Sequence, residues 1–198
     1  EISGSKEELP DIFARAYTKI QDLRYGENPH QKAAFYKDTE ADGGIAGAKQ
    51  LHGKELSYNN IVDMEAAWDL ANEWKDRPAC VIVKHTNPCG TALGNSASEA
   101  FRKAFEADSK SAFGGIVAMN CECDKETAEE MKPIFFEVVM APKFSKEAVD
   151  ILSTKKNIRL IEVDGKEEKE WKLYKVSGGL LVQTADDSSE TREDCRCV

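Results

Sequence analysis

Short apolar runs recur through the middle of this 198-residue chain, with helically spaced stretches between them. The runs are Ala79-Cys80-Val81-Ile82-Val83, Ile116-Val117-Ala118-Met119, Phe136-Glu137-Val138-Val139-Met140 and Ile158-Arg159-Leu160-Ile161-Glu162-Val163. Four or five apolar residues in a row, as in the first two, are what a strand buried on both faces requires, while 158–163 has both core and edge character. From Asn59 the pattern changes to Ile61, Met64, Trp68 and Ala71, spaced by three and four. Asn59 or Asn60 serves as cap, and the helix stops before Pro78. A second helix over 96–107 turns Ala97, Phe101, Ala104 and Phe105 inward. A third spans roughly 125–132, and Ser145 caps a fourth with Ala148, Ile151 and Leu152 on one side. Strand and helix alternating through short connections predict an α/β fold in three layers, a mostly parallel sheet covered on both faces.

Charge and composition narrow the function classes. The chain has 27 Lys+Arg against 36 Asp+Glu, a formal net charge of −9. That balance excludes attachment to nucleic acid by bulk phosphate neutralisation, but it leaves room for one local basic pocket. No stretch approaches the roughly 20 continuous apolar residues of a membrane span. The start, Glu1-Ile2-Ser3-Gly4, lacks a secretory pattern and reads as the interior of a longer chain or an expression scar. Six cysteines without a secretion signal read as cytoplasmic thiols rather than disulfides. The pairs Cys121/Cys123 and Cys195/Cys197 do not have zinc-site spacing, and no metal is expected. Residues 1–23 give mixed helix and strand signals, 24–31 form a loop around Gly26 and Asn28-Pro29, and 185–198 form an acidic tail or linker.

In an open parallel sheet, ligands collect beyond the carboxyl ends of the strands. The run 79–83 leads directly into Lys84-His85-Thr86-Asn87-Pro88-Cys89-Gly90, a polar loop. There His85 can move a proton and Lys84 can stabilise negative charge; a plain connection with two solvated side chains explains the same residues. Gly114-Gly115, after Ser111-Ala112-Phe113, either admits a ligand close to the backbone or makes a tight turn. Arg24 is either a fork for a phosphate or carboxylate or simply solvated. Glu137, which interrupts an apolar strand, either faces outward at a sheet edge or is a buried acceptor for ligand hydroxyls. Pro88-Cys89 matches half of the zinc-deaminase signature, but Ala92 stands where its second cysteine belongs and no His-x-Glu occurs. Neither a P-loop nor a dinucleotide-binding glycine motif is present.

Three runs carry a resemblance to a known family: Leu23-Arg24-Tyr25-Gly26-Glu27-Asn28-Pro29-His30-Gln31, Glu55-Leu56-Ser57-Tyr58-Asn59-Asn60-Ile61-Val62-Asp63, and Lys84 to Gly90. Ser111 to Gly115, Ala141-Pro142 and Ser177-Gly178-Gly179-Leu180-Leu181 extend it. With these the chain resembles the transformylase domain of the bifunctional purine-biosynthesis enzymes, in which 5-aminoimidazole-4-carboxamide ribonucleotide (AICAR) formyltransferase is joined to IMP cyclohydrolase. The resemblance implies a cytidine-deaminase-like fold without zinc. It also implies formyl transfer from 10-formyltetrahydrofolate, as co-substrate, to the 5-amino group of AICAR. It assigns proton acceptance to His85 and oxyanion stabilisation to Lys84. It makes Arg24, Tyr25, His85, Gly114, Phe113 and Glu137 contacts of the nucleotide site.

Family members carry a cyclohydrolase domain before this region and a second transformylase lobe after it, and their active sites form between the subunits of a homodimer. The resemblance therefore places 24–184 as a first lobe, behind a lead-in at 1–23, and implies little transferase activity for it alone. Two other classes stay open: a nucleotide-binding module without catalysis, and an oligomerisation platform with Trp68 and Trp74 at an interface.

Overall fold

Six strands make the central sheet, and the direction of one of them decides where the polar loops meet. The structure, a computed structural model, describes residues 9–164 and 171–186. In chain order a hairpin comes first, β1 (Tyr17–Leu23) with β2 (Ala33–Asp38), paired antiparallel with Leu23 opposite Ala33. The lead-in expected at 1–23 therefore contains a strand. A single helical turn, α1 (Gly44–Gly47), and β3 (Lys49–His52) follow, then α2 (Tyr58–Ala71), β4 (Ala79–Lys84) and β5 (Asn87–Leu93). After these come α3 (Ala97–Ala107), the one-turn α4 (Ser109–Ala112), β6 (Ile116–Met119), α5 (Lys125–Met131), β7 (Val138–Ala141), α6 (Lys146–Leu152) and β8 (Arg159–Glu162).

Across the sheet the order is β3-β8-β7-β6-β4-β5. β6, β7 and β8 run parallel to one another, whereas β3–β8, β4–β6 and β4–β5 are antiparallel. The α/β architecture is as expected, but the sheet is mixed rather than mostly parallel. Two residues, His85 and Thr86, join β4 to β5, and a connection that short links only antiparallel neighbours. An apolar run records burial on both faces and not direction, so the sequence pattern could not reveal this.

Burial alternates strictly along the central strands. Cys80, Ile82, Val117, Met119, Val139, Ala141 and Leu160 face the layer of α3, α5 and α6. Val81, Val83, Ile116, Ala118, Val138, Met140 and Ile161 face the layer of α2. Three layers follow from that period of two. On the first face Phe101 meets Phe136 edge-on at 5.8 Å and stacks on Phe105 at 6.0 Å. Gly90 is required by close approach: a Cβ there would lie 1.9 Å from the Ala104 carbonyl oxygen of α3.

Local capping fixes where the helices begin. Ser57, not Asn59 or Asn60, is the N-cap of α2. Its hydroxyl accepts from Asn60 N at 3.2 Å, while the Asn60 side-chain oxygen accepts from Ser57 N at 3.2 Å. This reciprocal box places Asn60, Met64, Ala67 and Ala71 on the buried face, and the helix ends at Ala71, well before Pro78. Ser96, Asp124 and Ser145 cap α3, α5 and α6, each side chain accepting from the backbone N–H three residues on, without the reciprocal bond.

The described residues fall into two compact units, one within 9–164 and the other within 171–186. In the second, β9 (Lys172–Val176) and β10 (Gly179–Gln183) form an antiparallel hairpin turning at Ser177-Gly178, where Gly178 has φ 74°. The expected acidic tail lies outside the described residues from 187 onward, with Cys195 and Cys197. No described helix is long and apolar enough to cross a membrane.

Candidate functional site

The strand register lines up Val83, Ile116, Val138 and Arg159 across β4, β6, β7 and β8. Immediately beyond these positions lie Lys84 and His85, Gly114 and Gly115, Glu137, and Ile158. The positions singled out beside three of these strands, Lys84 and His85, Gly114, and Glu137, thus share one end of the sheet. Three inter-strand steps of about 4.8 Å make the row roughly 14 Å long. It lies where the parallel strands begin rather than at their carboxyl ends. β4 runs opposite to them, so its carboxyl end coincides with their amino ends.

At the β4 end, Lys84 is the last strand residue and His85-Thr86 form the hairpin turn. The expected loop at 84–90 is therefore a turn of two residues followed by strand β5. Both turn residues have positive φ, 53° at His85 and 60° at Thr86, the backbone sign of a type I′ turn. Neither is a glycine, and Thr86 is β-branched, so the turn is held against its own preference. Thr86 Oγ1 donates to the His85 carbonyl at 2.7 Å and Asn87 Nδ2 to the same oxygen at 2.8 Å. Thr86 N donates to Asp63 Oδ1 of α2 at 2.7 Å. His85 is exposed.

Lys84 reaches across to the β6 approach, where its Nζ donates to the Phe113 carbonyl at 3.1 Å. Phe113 is 60% exposed and its ring lies 5.4 Å from that of Phe135. Gly114 has φ 73°, a conformation that favours glycine, and its N–H donates to the Phe135 carbonyl at 2.8 Å. That bond engages the N–H, leaving the Gly114 carbonyl as the backbone group available to a ligand. Lys84, Phe113 and Gly114 are brought together as one cluster.

Glu137 is neither an edge residue nor a buried acceptor. It precedes a central strand, not an edge, and it is 45% exposed. Its carboxylate accepts from Asn60 Nδ2 at 2.8 Å, with Arg159 Nη1 4.0 Å away. Arg159, 15% exposed, also donates through Nε to the carbonyls of Lys54 (3.2 Å) and Glu55 (3.1 Å). Beside it opens a cavity of about 470 Å³, lined by Arg24, Tyr25, Lys54, Glu55, Leu56, Ser57 and Arg159. The Arg24 guanidinium lies 5.7 Å from the Tyr25 ring centre, a cation–π arrangement that stiffens both at the rim.

Arg24 and Tyr25 therefore line a cavity at the β8 end, while Lys84 and His85 stand at the β4 end, with Glu137 between. Lys54, Asn60, Asp63 and Arg159 were not singled out from sequence. For Arg159 a signal existed, since it interrupts the apolar run at 158–161 just as Glu137 interrupts its own. The other three carry no individual mark. Cys80, Cys89, Cys121 and Cys123 are free thiols. Burial pushes the thiols of Cys80 and Cys123 well up, which keeps them protonated and unreactive. Among the described residues no three His, Cys, Asp or Glu side chains gather as a metal-binding group. Trp68 is half-buried against the α2-side core.

Residues 2–198 match the family described as AICARFT/IMPCHase bienzyme. The chain is 56% identical over 186 residues to the bifunctional purine biosynthesis protein PurH of Thermoanaerobacter sp. (strain X514), covering 94% of this chain and 36% of that one. Against PurH of Shouchella clausii (strain KSM-K16) the identity is 58% over 182 residues, covering 91% and 35%. The chain spans about a third of the length of the curated relatives it matches. Among solved structures, RibD of Acinetobacter baumannii (form 1) aligns with a TM-score of 0.38 and 19% identity over 47% of this chain and 33% of that one. That likeness is too distant to carry an argument.

Proposed function

Because the chain belongs to the AICARFT/IMPCHase bienzyme family, we propose that it serves purine biosynthesis on the transformylase side of such an enzyme, in formyl transfer from 10-formyltetrahydrofolate to AICAR. One observation supports the reading above the others: a lysine, an imidazole, a carboxylate and a glycine turn share one sheet edge, beside a cavity rimmed by guanidinium groups.

The chemistry asks for those groups. The 5-amino nitrogen of AICAR is a weak nucleophile, because its lone pair is delocalised into the ring and carboxamide. As it attacks the formyl carbon, a new N–C bond forms and the carbonyl oxygen becomes an oxyanion. His85 takes the proton that the nitrogen must lose, and the Lys84 ammonium stabilises the oxyanion. Collapse breaks the bond from the formyl carbon to N10 of the folate, N10 takes up a proton, and formamido nucleotide and tetrahydrofolate leave. Arg24, with Lys54 and Arg159 in the same cavity, suits the nucleotide phosphate. Tyr25 and Phe113 offer faces for a planar base, and the Gly114 carbonyl and Glu137 carboxylate are acceptors for its amide or ribose hydroxyls. A homodimer partner and a second lobe complete the site in this reading, which expects little turnover from the chain alone.

The test exchanges this chain for the corresponding segment of a full-length family enzyme and replaces His85 with Ala. Formyl transfer to AICAR should be lost while cyclisation of the formamido product to IMP continues. Loss of cyclisation with formyl transfer intact would put the chain on the cyclohydrolase side and overturn the reading.

A further inference from the structure

The His85-Thr86 turn needs an external restraint. Two-residue hairpin turns with positive φ at both positions ordinarily contain Asn-Gly or Gly-Gly, because other residues bear a steric cost there. Here the turn has an imidazole and a β-branched side chain at φ 53° and 60°. Two of its side-chain hydrogen bonds are local, both to the His85 carbonyl from Thr86 and Asn87. The third comes from another layer of the fold. Asp63 Oδ1 on α2 accepts the Thr86 N–H at 2.7 Å, a charge-assisted bond to the second strained residue.

Asp63 follows Asn60 by three residues, so the two are neighbours on α2. Asn60 holds the Glu137 carboxylate at 2.8 Å. One rigid helix therefore grips both the carboxylate in the middle of the site and the turn that carries His85. We infer that Asp63 is a positioning residue: it locks the His85-Thr86 turn and, through α2, sets the imidazole in register with Glu137. This rests on the formyl-transfer reading for the role of His85, whereas the tether itself can be tested without turnover.

Two readouts separate the tether from the reaction. In the 198-residue chain, Asp63→Ala should speed hydrogen exchange at the Thr86 amide by about tenfold or more, the range expected for losing one charge-assisted bond. Asp63→Asn keeps an acceptor oxygen and should stay near the parent. In the segment-exchanged enzyme, Asp63→Ala should lower kcat for formyl transfer by about tenfold while moving KM for AICAR much less. Adding Thr86→Gly, which accepts positive φ unaided, should restore much of that kcat without restoring the carboxylate. Unchanged Thr86 exchange in Asp63→Ala would overturn the inference. So would a kcat loss that Thr86→Gly fails to relieve while Asp63→Asn loses as much, since charge and not the tether would then be responsible. Should His85→Ala leave formyl transfer intact, the functional reading falls, and the exchange result still decides the tether.

Discussion

Replacing Asn60 tests the least visible part of the site, because the residue completes the capping box of α2 and holds Glu137 at once. It is 5% exposed, accepts from Ser57 N at 3.2 Å and donates to Glu137 at 2.8 Å. Asn60→Ala removes the reciprocal half of the capping box, a loss of about 1 kcal/mol. It also removes a bond to a carboxylate. Such a bond is worth about 1.5–3 kcal/mol when buried, but Glu137 is 45% exposed and can turn to water, which cuts the loss to roughly 0.5–1 kcal/mol. The sum, about 1.5–2 kcal/mol, lowers Tm by roughly 3–8 °C for a unit of this size. Asn60→Asp keeps the cap and sets a second carboxylate against Glu137. Like charges at ~4 Å repel by about 1–4 kcal/mol between bulk water and a protein surface. That repulsion raises the pKa of the introduced acid above its unfolded value, so the penalty is present above the folded pKa and disappears as pH falls below the unfolded one. Urea unfolding of the three proteins at several pH values checks this. The Asn60→Asp deficit should shrink on acidification relative to the parent, while the Asn60→Ala deficit stays level. An Asn60→Ala protein within about 0.5 kcal/mol of the parent, inside the ordinary range for surface changes, would refute the double role.

Two further outcomes follow from the fold. The Glu99 carboxyl is held down to about 2, first by its 2.8 Å pair with Lys103 and then by the Asn95 N–H. Its contribution is therefore full above the ordinary carboxylate range and is lost as pH falls toward the folded value. The stability gap between the parent and Glu99→Gln should close over that window, and a gap constant with pH would sink the assignment. Gly90→Ala drives a Cβ into the Ala104 carbonyl, so β5 must leave α3, and chemical denaturation should register a loss of about 1–3 kcal/mol; a neutral result would mean the two elements are not in contact.

What the sequence disclosed depended on how many levels of structure agreed. β4 and β6 could be placed because burial on both faces leaves unbroken apolar runs, and Ser96 and Ser145 announced their helices by chemistry that acts locally. The segment 84–90 could not. His-Thr is not a hairpin turn by composition, and Asn87, Pro88 and Gly90 read as loop formers. Only packing against α3, at a distance that demands glycine, makes β5 a strand. Site residues divide along the same line. Lys84, His85 and Gly114 stand out within their own segments, but Lys54, Asn60 and Asp63 matter through partners 105, 77 and 23 positions away, which no local pattern encodes.

Strand direction also sets the electrostatics. In each parallel unit a helix starts beyond the carboxyl end of one strand and finishes near the amino end of the next, so α5 and α6 bring their carboxyl termini toward the edge where Lys84, Gly114 and Glu137 lie. The same connectivity starts α3 at the far end, after β5 has run back from the turn. Of these longer helices α2 alone presents its amino terminus here, where its cap residue Ser57 lines the cavity and the capping box engages the Asn60 N–H of the first turn. Open α/β sheets ordinarily bind phosphate on helix dipoles beyond the carboxyl ends of their strands. At this edge that resource is confined to the α2 amino terminus, and the carboxyl termini of α5 and α6 oppose an anion. In the formyl-transfer reading proposed above, attraction for the nucleotide phosphate therefore rests chiefly on side chains, and Arg24, Lys54 and Arg159 gather around one cavity in a chain whose net charge is −9.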